Sequence, residues 1–297
     1  MLLRLPKGGP EQQAVDAGEI DAVVDYANSN VILLPAARRA LREASRRAPA
    51  ASRKAGDEAS IANSVLSALP HEDYQRLLAS LEPVTLKSGE VLHEPGVPIR
   101  YAYFPIDCVI SLLTMMEGHQ PLAVGLVGHE GMVGIPLALG IDVSSARALV
   151  QEPGTAMRME SAFFREELLR SKPLQEGLHR YKHALVGQIA QSVACNQFHP
   201  VQARLARYLL MTGDRARRKE LRLTHEFLAD MLGVRRAGVT LAALALQRRK
   251  LIEYSRGKVT LLDRRGLNAL ACVCYGIVKA MHDSAYRERG PRKRTAG

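Results

Sequence analysis

The chain has 297 residues, is 47% hydrophobic and carries a formal net charge of +11. This size allows two domains with real cores, and no apolar run approaches the roughly 20 residues needed to span a bilayer. The start, Met-Leu-Leu-Arg-Leu-Pro, is too short for a secretory signal. Four cysteines without paired spacing predict neither a disulfide framework nor a zinc knuckle. We therefore expect a reduced, cytoplasmic protein.

The positive charge is concentrated in the last third of the chain. Residues 200–297 contain 22 Lys and Arg against 8 Asp and Glu, a net charge of +14, whereas residues 1–199 contain 19 against 22, a net charge of −3. A charge that served solubility alone would be spread over both parts. The clustering of positive charge in this part predicts a surface that binds nucleic acid, with an affinity that falls as the salt concentration rises.

Residues 1–57 are an N-terminal extension of unknown role. Two apolar runs within residues 20–34, separated by Ala-Asn-Ser-Asn, predict a strand, a turn and a strand. Residues 36–54 are expected to be helical and carry six arginines and one lysine against one glutamate. We favour a solvated helix or mobile tail here, and a nucleic-acid-binding arm is the alternative.

Helical spacing comes next and then gives way to short strands. The apolar positions that predict amphipathic helices within residues 61–81 are Leu66, Leu69, Tyr74, Leu77, Leu78 and Leu81. From residue 84 to about 159, short apolar runs are separated by turns at Lys-Ser-Gly-Glu (87–90), Glu-Pro-Gly (94–96) and Gly-His (118–119). Such punctuation predicts a β-sandwich or jelly roll.

A single long helix is predicted over residues 174–197. Its apolar stripe steps by three and four residues and consists of Leu174, Leu178, Tyr181, Leu185, Ile189 and Val193. A stripe of this kind belongs either to a core helix of the sandwich or to a coiled-coil seam between two subunits. We favour the dimer seam, because a DNA reader of the kind predicted next needs two copies.

Residues 223–250 are typical of a helix, a glycine-bearing turn and a second helix, and a short hairpin follows at residues 251–263. Thr224 is placed to cap the first helix, and Gly233 supplies the left-handed turn. The predicted inward residues are Leu228, Ala229, Leu232, Val234, Val239 and Ala242. This order presents one exposed helix to a DNA major groove. An ordinary buried helical hairpin is the alternative.

Arg236 is the best candidate for reading a base, because arginine can bridge guanine O6 and N7. Leu241 offers apolar contact to thymine methyl groups, and Arg235 and Thr240 are expected on phosphates. The complete predicted DNA-binding set is Thr224, Arg235, Arg236, Gly238, Thr240, Leu241, Arg248, Arg256 and Lys258. For Arg248, capping of the helix dipole is an equal alternative, and the hairpin tip is alternatively a solvated turn.

These parts together resemble the Crp/Fnr family of bacterial transcription regulators. The most specific stretches are Lys-Ser-Gly-Glu-Val-Leu from residue 87 and Leu-Thr-His-Glu-Phe-Leu-Ala-Asp-Met-Leu-Gly-Val-Arg-Arg from residue 223. The resemblance spans about residues 61–286. It implies an α+β fold with a cyclic-nucleotide-binding-like β-roll (58–171), a dimerisation helix (172–198) and a C-terminal winged helix-turn-helix domain (199–297).

The resemblance also implies partners. They are double-stranded DNA, a second copy of the chain, RNA polymerase and a small-molecule effector of unknown identity, with no membrane. Members that bind cyclic nucleotides carry a Gly-Glu pair for the ribose and an Arg-Ser/Thr-Ala step for the phosphate.

The effector pocket implied by the resemblance, formed by Gly131, Gly134, Ile135 and Arg147, is degenerate. Ile135 stands where the ribose glutamate would be, and Arg147 is flanked by alanines. A cyclic phosphate without a fixed guanidinium loses its charge-assisted contacts, so cyclic AMP is not the expected ligand, and a cyclic-nucleotide-responsive regulator is kept as an alternative. No set of four cysteines precedes the roll, so an iron–sulfur cluster is not expected either.

No catalytic residue, metal or cofactor is predicted. His179 and His183 have a chelating spacing but lack a third ligand. Cys272 and Cys274 are expected in the core of a terminal helix and Cys195 as a buried thiol, while the pair His129-Glu130 is expected in a turn. Two other classes stay open: a module whose basic surface binds an acidic protein partner, and a metal- or redox-dependent enzyme.

Overall fold

The computed structural model describes residues 22–25, 30–33, 63–118 and 120–286. The chain divides into two compact units, Met1–Ala55 and Gly56–Gly297. The first contains the antiparallel strands β1 (Ala22–Asp25) and β2 (Asn30–Leu33). Both predicted strands are confirmed, and the turn predicted between them lies outside the described residues. The helix predicted at 36–54 and the hairpin tip at position 119 lie outside the described residues.

The second unit begins with two short helices, α1 (Ser64–Ser67) and α2 (His71–Leu78). Asn63 caps α1, because its side-chain oxygen accepts from the amides of Val65 and Leu66. The same side chain donates to the carbonyls of Pro105 and Gly131, each at 2.9 Å. One buried amide therefore both starts the helix and fastens it to the strands.

The strands that follow form two antiparallel sheets, as predicted. One has the order β3–β9–β5 and the other β4–β8–β6–β7. The strands are β3 (Glu82–Leu86), β4 (Val91–His93), β5 (Tyr101–Pro105), β6 (Val109–Thr114), β7 (Leu122–Val127), β8 (Arg147–Glu152) and β9 (Gly154–Glu160). A 3₁₀ turn (Ile135–Leu139) lies between β7 and β8. The strands turn at glycines such as Gly89 and Gly96, whose φ angles of +84° and +72° few other residues adopt.

Two helices leave the roll, α3 (Ser161–Arg170) and the 27-residue α4 (Lys172–Phe198). Leu174, Leu178 and Tyr181 of α4 are fully buried, and Leu185 is 6% exposed. They pack against side chains of the chain's own roll. The predicted long helix is present, and these four residues belong to the core of one subunit.

This packing corrects the predicted dimer seam. Of its six residues, Leu174, Leu178, Tyr181 and Leu185 are covered within one subunit, and Ile189 is half-buried against the same roll. Only Val193 is exposed, at 67%. The spacing located an apolar face, but whether a sheet of the same chain or a second chain covers such a face depends on tertiary contacts.

The C-terminal part contains α5 (Val201–Ala216), β10 (Glu220–Arg222), α6 (His225–Leu232), α7 (Arg236–Arg248), β11 (Ile252–Ser255), β12 (Lys258–Leu261), α8 (Arg264–Leu270) and α9 (Cys274–Tyr286). Its small sheet has the order β10–β12–β11. α9 returns along α4, where Arg180 Nε donates to the carbonyl of Ala285 at 2.8 Å. None of the helices in the described ranges is both long and apolar enough to cross a membrane.

Buried polar contacts join the C-terminal part to the roll. Arg215 of α5 donates from Nε to Glu130 at 2.7 Å and from Nη2 to Gln188 of α4 at 2.7 Å. Burial raises the pKa of Glu130, but the charge of Arg215 together with His282, His129 and a backbone hydrogen bond outweighs it, and the pKa is lowered. The carboxylate is therefore held ionised between the roll and α5. Tyr208 adds a 2.7 Å hydrogen bond to Gln151 of β8.

Candidate nucleic-acid interface

α6 and α7 form a helix-turn-helix with the caps predicted from the sequence. The Thr224 hydroxyl accepts from the Phe227 amide at 3.1 Å, which satisfies one of the unpaired amides at the start of α6. Gly233 ends α6 in the left-handed region at φ +60°, and the next amide, of Val234, returns to the carbonyl of Ala229 at 3.0 Å. A Schellman-type end of this kind turns the chain sharply into α7.

The inward faces of the two helices are covered as the spacing predicted. The buried residues of this pair are Leu228, Ala229, Met231, Leu232, Val239, Ala242, Ala243 and Leu246. They join the same apolar cluster as α5 and the small sheet. The opposite face of α7 is therefore left for solvent or a ligand.

That outward face combines cations with one large apolar side chain. Arg235, at the cap of α7, and Arg236, its first residue, are both exposed, as is Ala237. Leu241 lies one turn further and is 70% exposed. Arg248 is exposed at the far end of α7. An exposed helix start with guanidinium groups is the geometry with which helix-turn-helix proteins read base edges.

A stacked pair of rings fixes α6 against the hairpin. His225 stacks on Tyr254 of β11, with ring centroids 4.2 Å apart, and the Tyr254 hydroxyl donates to the carbonyl of Leu223 at 3.0 Å. The Nδ1 atom of His225 is 3.0 Å from the Thr240 hydroxyl of α7. Burial, followed by the Arg236 charge, lowers the pKa of His225, so the ring is neutral at neutral pH.

Two residues of the predicted DNA-binding set, Thr240 and Lys258, have partners within the chain. The Thr240 hydroxyl lies between His225 and the carbonyl of Arg236, to which it donates at 3.1 Å, so it joins the two helices rather than extending toward a phosphate. Lys258 forms an exposed ion pair with Glu220, with a 3.1 Å N–O distance. Both side chains are more than half exposed, so the pair leaves Lys258 accessible and its contact with a phosphate stays a prediction. Gly238 is half-buried on α7.

β11 and β12 form the predicted hairpin, which is a wing beside α7. Its two-residue turn, Arg256-Gly257, has φ angles of +48° and +78°, the combination that a type I′ turn requires. Arg256 is exposed at this tip. The wing therefore presents one arginine on a rigid turn.

Comparisons with known proteins agree with this geometry. Residues 203–270, which run from α5 to the end of α8, match the model of the Crp-like helix-turn-helix domain. The transcriptional regulator SdrP of Thermus thermophilus is 28% identical to the chain over 200 residues, which are 64% of this chain and 94% of SdrP.

Two solved structures share the fold. A regulator assigned to the Crp/Fnr family from Eubacterium rectale has a TM-score of 0.54 at 16% identity, over 69% of this chain and 96% of its own. A CRP-family regulator of Thermus thermophilus has a TM-score of 0.52 at 21% identity, over 63% of this chain and 96% of its own. The chain therefore carries a Crp-like helix-turn-helix domain and shares its fold with solved regulators of the Crp/Fnr family. The resemblance predicted from the two motifs is confirmed, and these relatives are regulators rather than enzymes.

Two of the four predicted effector-pocket residues, Gly131 and Arg147, have close partners within the chain. Gly131 lies directly under the ring of Tyr181, which packs where a side chain at 131 would be. Gly134, at φ +96°, turns the chain into the 3₁₀ segment that begins at Ile135. Arg147 is paired with Glu94 at 2.8 Å. Tyr181 therefore occupies the space next to Gly131 and Arg147 has an ionic partner, and the effector pocket stays a prediction.

A cavity of about 310 Å³ lies elsewhere, beside the buried ion pair of Glu130 and Arg215. His129, Glu130, His282 and Tyr286 are among its lining residues. His129 and Glu130 lie in the turn after β7, as predicted. The end of α9 packs against this turn, and local sequence patterns hold no sign of this contact because it spans 156 residues.

The structure also assembles a cluster that the sequence analysis missed. Cys195, His199, Cys272 and Cys274 bring their donor atoms within 4.8 Å of one another. Cys272 precedes α9 instead of lying on it, so it and Cys274 converge rather than facing different directions as expected. The one available signal was the spacing Cys-x₃-His together with Cys-x-Cys, and only the packing of α9 on α4 joins the two pairs.

Proposed function

We propose that the chain acts in the cytoplasm as a homodimer that binds a nearly palindromic DNA site through α7 of each subunit. The observation that carries the proposal is the exposed start of α7, where Arg235 and Arg236 stand beside Leu241. Arg236 is assigned to a guanine and Leu241 to a thymine methyl group. Arg235, Arg256 of the wing and Arg248 at the far end of α7 are assigned to phosphates, which position the protein without specifying sequence.

Dimerisation is assigned to the exposed face of α4, in place of the seam predicted from the sequence. Val186 and Val193 of this face are 66% and 67% exposed, and Ala190 between them is exposed as well. Their spacing of four and three residues is that of a coiled-coil seam. Phe198 at the end of α4 is 77% exposed and extends the apolar surface toward the C-terminal helix-turn-helix domain.

Signal transmission is assigned to the contact between the roll and α5. Arg215 binds both Glu130 of the roll and Gln188 of α4. A movement of either residue would therefore shift α5, against which the helix-turn-helix packs. A small effector of the roll would act as a population shift between two arrangements of this contact. RNA polymerase, expected as a partner from the resemblance, belongs to this proposal as well.

Selection of DNA from a random pool tests the proposal. The purified protein is expected to enrich a sequence with two-fold symmetry whose half-site centres lie about 34 Å apart, one helical turn. The Arg236→Ala variant is the matched control and should enrich a site with one relaxed base pair per half-site. Equal binding of random and selected DNA at the same salt concentration would contradict the proposal and favour a module that binds acidic partners.

A further inference from the structure

Two distant segments of the chain meet at the junction between α4 and α5. Cys195 lies on the last turn of α4, and His199 is the residue that ends this helix. Cys272 lies in the connection between α8 and α9, and Cys274 is the first residue of α9. The Sγ atoms of Cys195 and Cys272 are 3.4 Å apart, and Cys274 Sγ is 3.5 Å from His199 Nδ1.

These distances match the edges of a tetrahedron around a single zinc ion. Zinc–sulfur bonds of about 2.3 Å and zinc–nitrogen bonds of about 2.0–2.1 Å place neighbouring ligand atoms about 3.5–3.8 Å apart. The sulfurs are too far apart for a disulfide bond, which is about 2.05 Å long. An iron–sulfur cluster, whose cysteines bind different iron atoms, needs its ligands farther apart than a set that lies within 4.8 Å.

We propose that Cys195, His199, Cys272 and Cys274 bind one zinc ion in a closed Cys₃His site. A complete set of four protein ligands, with no position left for water, is the mark of a structural rather than a catalytic zinc. The proposal goes beyond DNA recognition, since none of the four residues lies on α7 or the wing.

The surroundings suit the charge of such a centre. Three thiolates around a divalent ion leave a net charge of about −1. The guanidinium groups of Arg204 and Arg207 of α5 donate to Asn196 and Ser192, next to Cys195 at the end of α4. Gln191 of α4 donates from Nε2 to Cys274 Sγ at 3.1 Å, a contact that orients the ligand from outside the coordination sphere.

The site is shielded from solvent on the side of the cysteines and accessible on the side of His199. Cys195 and Cys274 are fully buried and Cys272 is 9% exposed, whereas His199 is partly exposed at the helix end. An ion would therefore enter past the imidazole. Once bound, the ion would link α9 to the end of α4, directly before the C-terminal part that contains the helix-turn-helix.

Metal titration of the reduced, full-length, chelator-treated protein tests the site. Wild type is expected to take up about one zinc per chain, and cobalt should give the intense visible absorption of a tetrahedral thiolate complex. Zinc should also raise the melting temperature, because an ion that binds only the folded state stabilises it.

Variants assign the site to these residues. His199→Gln and Cys274→Ser should weaken zinc binding by more than about 100-fold, beyond the 10–100-fold typical of residues outside the coordination sphere. His199→Gln changes a partly exposed side chain, so it keeps the test valid if Cys274→Ser does not fold. The matched control is Cys108→Ser, which alters a buried thiol of the roll outside the cluster and should keep full zinc binding.

Several outcomes would overturn the proposal. They are the absence of stoichiometric zinc uptake by the reduced wild type, a cobalt spectrum without thiolate ligation, or equal zinc binding by wild type and His199→Gln. A native Cys195–Cys272 disulfide whose reduction restores no metal binding would do the same. Because uptake is measured without DNA, its failure leaves the proposed DNA-binding function untouched, and failure of the DNA selection leaves the zinc site untouched.

Discussion

The arginines of the C-terminal part fall into two groups with different roles. Arg204, Arg207 and Arg215 of α5 are 5–8% exposed and bind partners inside the protein. Arg235 and Arg236 are exposed at the start of α7. The excess positive charge therefore lies in the part that carries the helix-turn-helix domain, but it includes buried structural arginines as well as the exposed ones that can bind phosphate.

Replacing Arg236 with alanine tests the assignment of a base contact. Affinity for the selected site should fall by about 1–3 kcal/mol and preference at one base pair should relax, because a bidentate contact to guanine is lost. Binding to a panel of single-base variants of the site, at constant salt, measures both effects.

Arg249→Ala is the control for this experiment, since it removes the same charge from the exposed residue that caps the other end of α7. It should leave the base preference unchanged. If Arg236→Ala instead weakened binding by the same factor on every sequence, Arg236 would be a phosphate contact.

His282 should make the stability depend on pH. Burial lowers the pKa of this histidine to about 4, and within the described residues neither ring nitrogen has a hydrogen-bond partner. The unfolded chain takes up a proton near pH 6.5, whereas the folded chain does so only near pH 4. Stability is therefore fully present above about pH 6.5 and is lost as the pH falls toward 4.

Urea denaturation between pH 4 and 8 measures this dependence. The folded-state shift corresponds to at most about 3 kcal/mol, and His282→Leu should remove that part of the slope. Replacing the exposed His183 of α4 with asparagine should leave the slope as in wild type. An unchanged slope in His282→Leu would show that other groups control the acid response.

At the scale of elements, two glycines of the helix-turn-helix differ in whether their backbone conformation requires glycine. Gly233 has φ +60°, and a Cβ there would lie 3.0 Å from Leu122 of the roll. Gly238 lies within α7 with no heavy atom within 4 Å of a Cβ. The first glycine is needed for the turn, whereas the second costs the helix conformational entropy.

Substituting alanine at each position separates these effects. Gly233→Ala should lower the free energy of unfolding by about 1–3 kcal/mol, because a left-handed backbone is strained for a residue with a Cβ. Gly238→Ala should raise it by about 0.4–1 kcal/mol. Equilibrium denaturation of both variants is the measurement, and equal effects of the two substitutions would contradict the role given to the turn.

The long helix α4 has two apolar faces, and the sequence pattern does not show which of them is buried within the chain and which is exposed. Leu174, Leu178 and Leu185 belong to the longer stripe, which the chain's own roll buries. The shorter stripe of Val186, Ala190 and Val193 is exposed. Helical periodicity identifies both faces, and it favoured the longer one, whereas the exposed shorter face is the one that we propose for dimerisation.

At the scale of the whole molecule, Val193→Asp tests this dimer surface. A charge placed in an apolar seam should raise the dissociation constant of the dimer by about tenfold or more, which corresponds to about 1.4 kcal/mol. Sedimentation over a range of protein concentrations measures it. Leu169→Asp, at an 83% exposed position of α3, introduces the same charge outside the stripe and should leave the dimer intact.

A dimer that withstands Val193→Asp, or one that both substitutions weaken equally, would move the interface to another face. The result bears on DNA binding as well, because one subunit reaches only one half-site. A monomeric variant should therefore lose far more affinity for the full site than for an isolated half-site.

The sequence by itself determined the features that depend on local chemistry. The cap at Thr224, the turn at Gly233, the glycine-punctuated strands and the Crp/Fnr resemblance all follow from residues that are close together along the chain. Hydrogen bonds and backbone strain at such positions involve immediate neighbours, so a linear pattern records them.

The tertiary structure alone decided which groups meet across long separations. It gave the apolar stripe of α4 to the roll, paired Lys258 with Glu220, placed Tyr181 over Gly131, and brought Cys195 to Cys272, 77 residues away. Periodicity and spacing hold no information about what covers a face or completes a set of ligands, because packing between distant segments settles both.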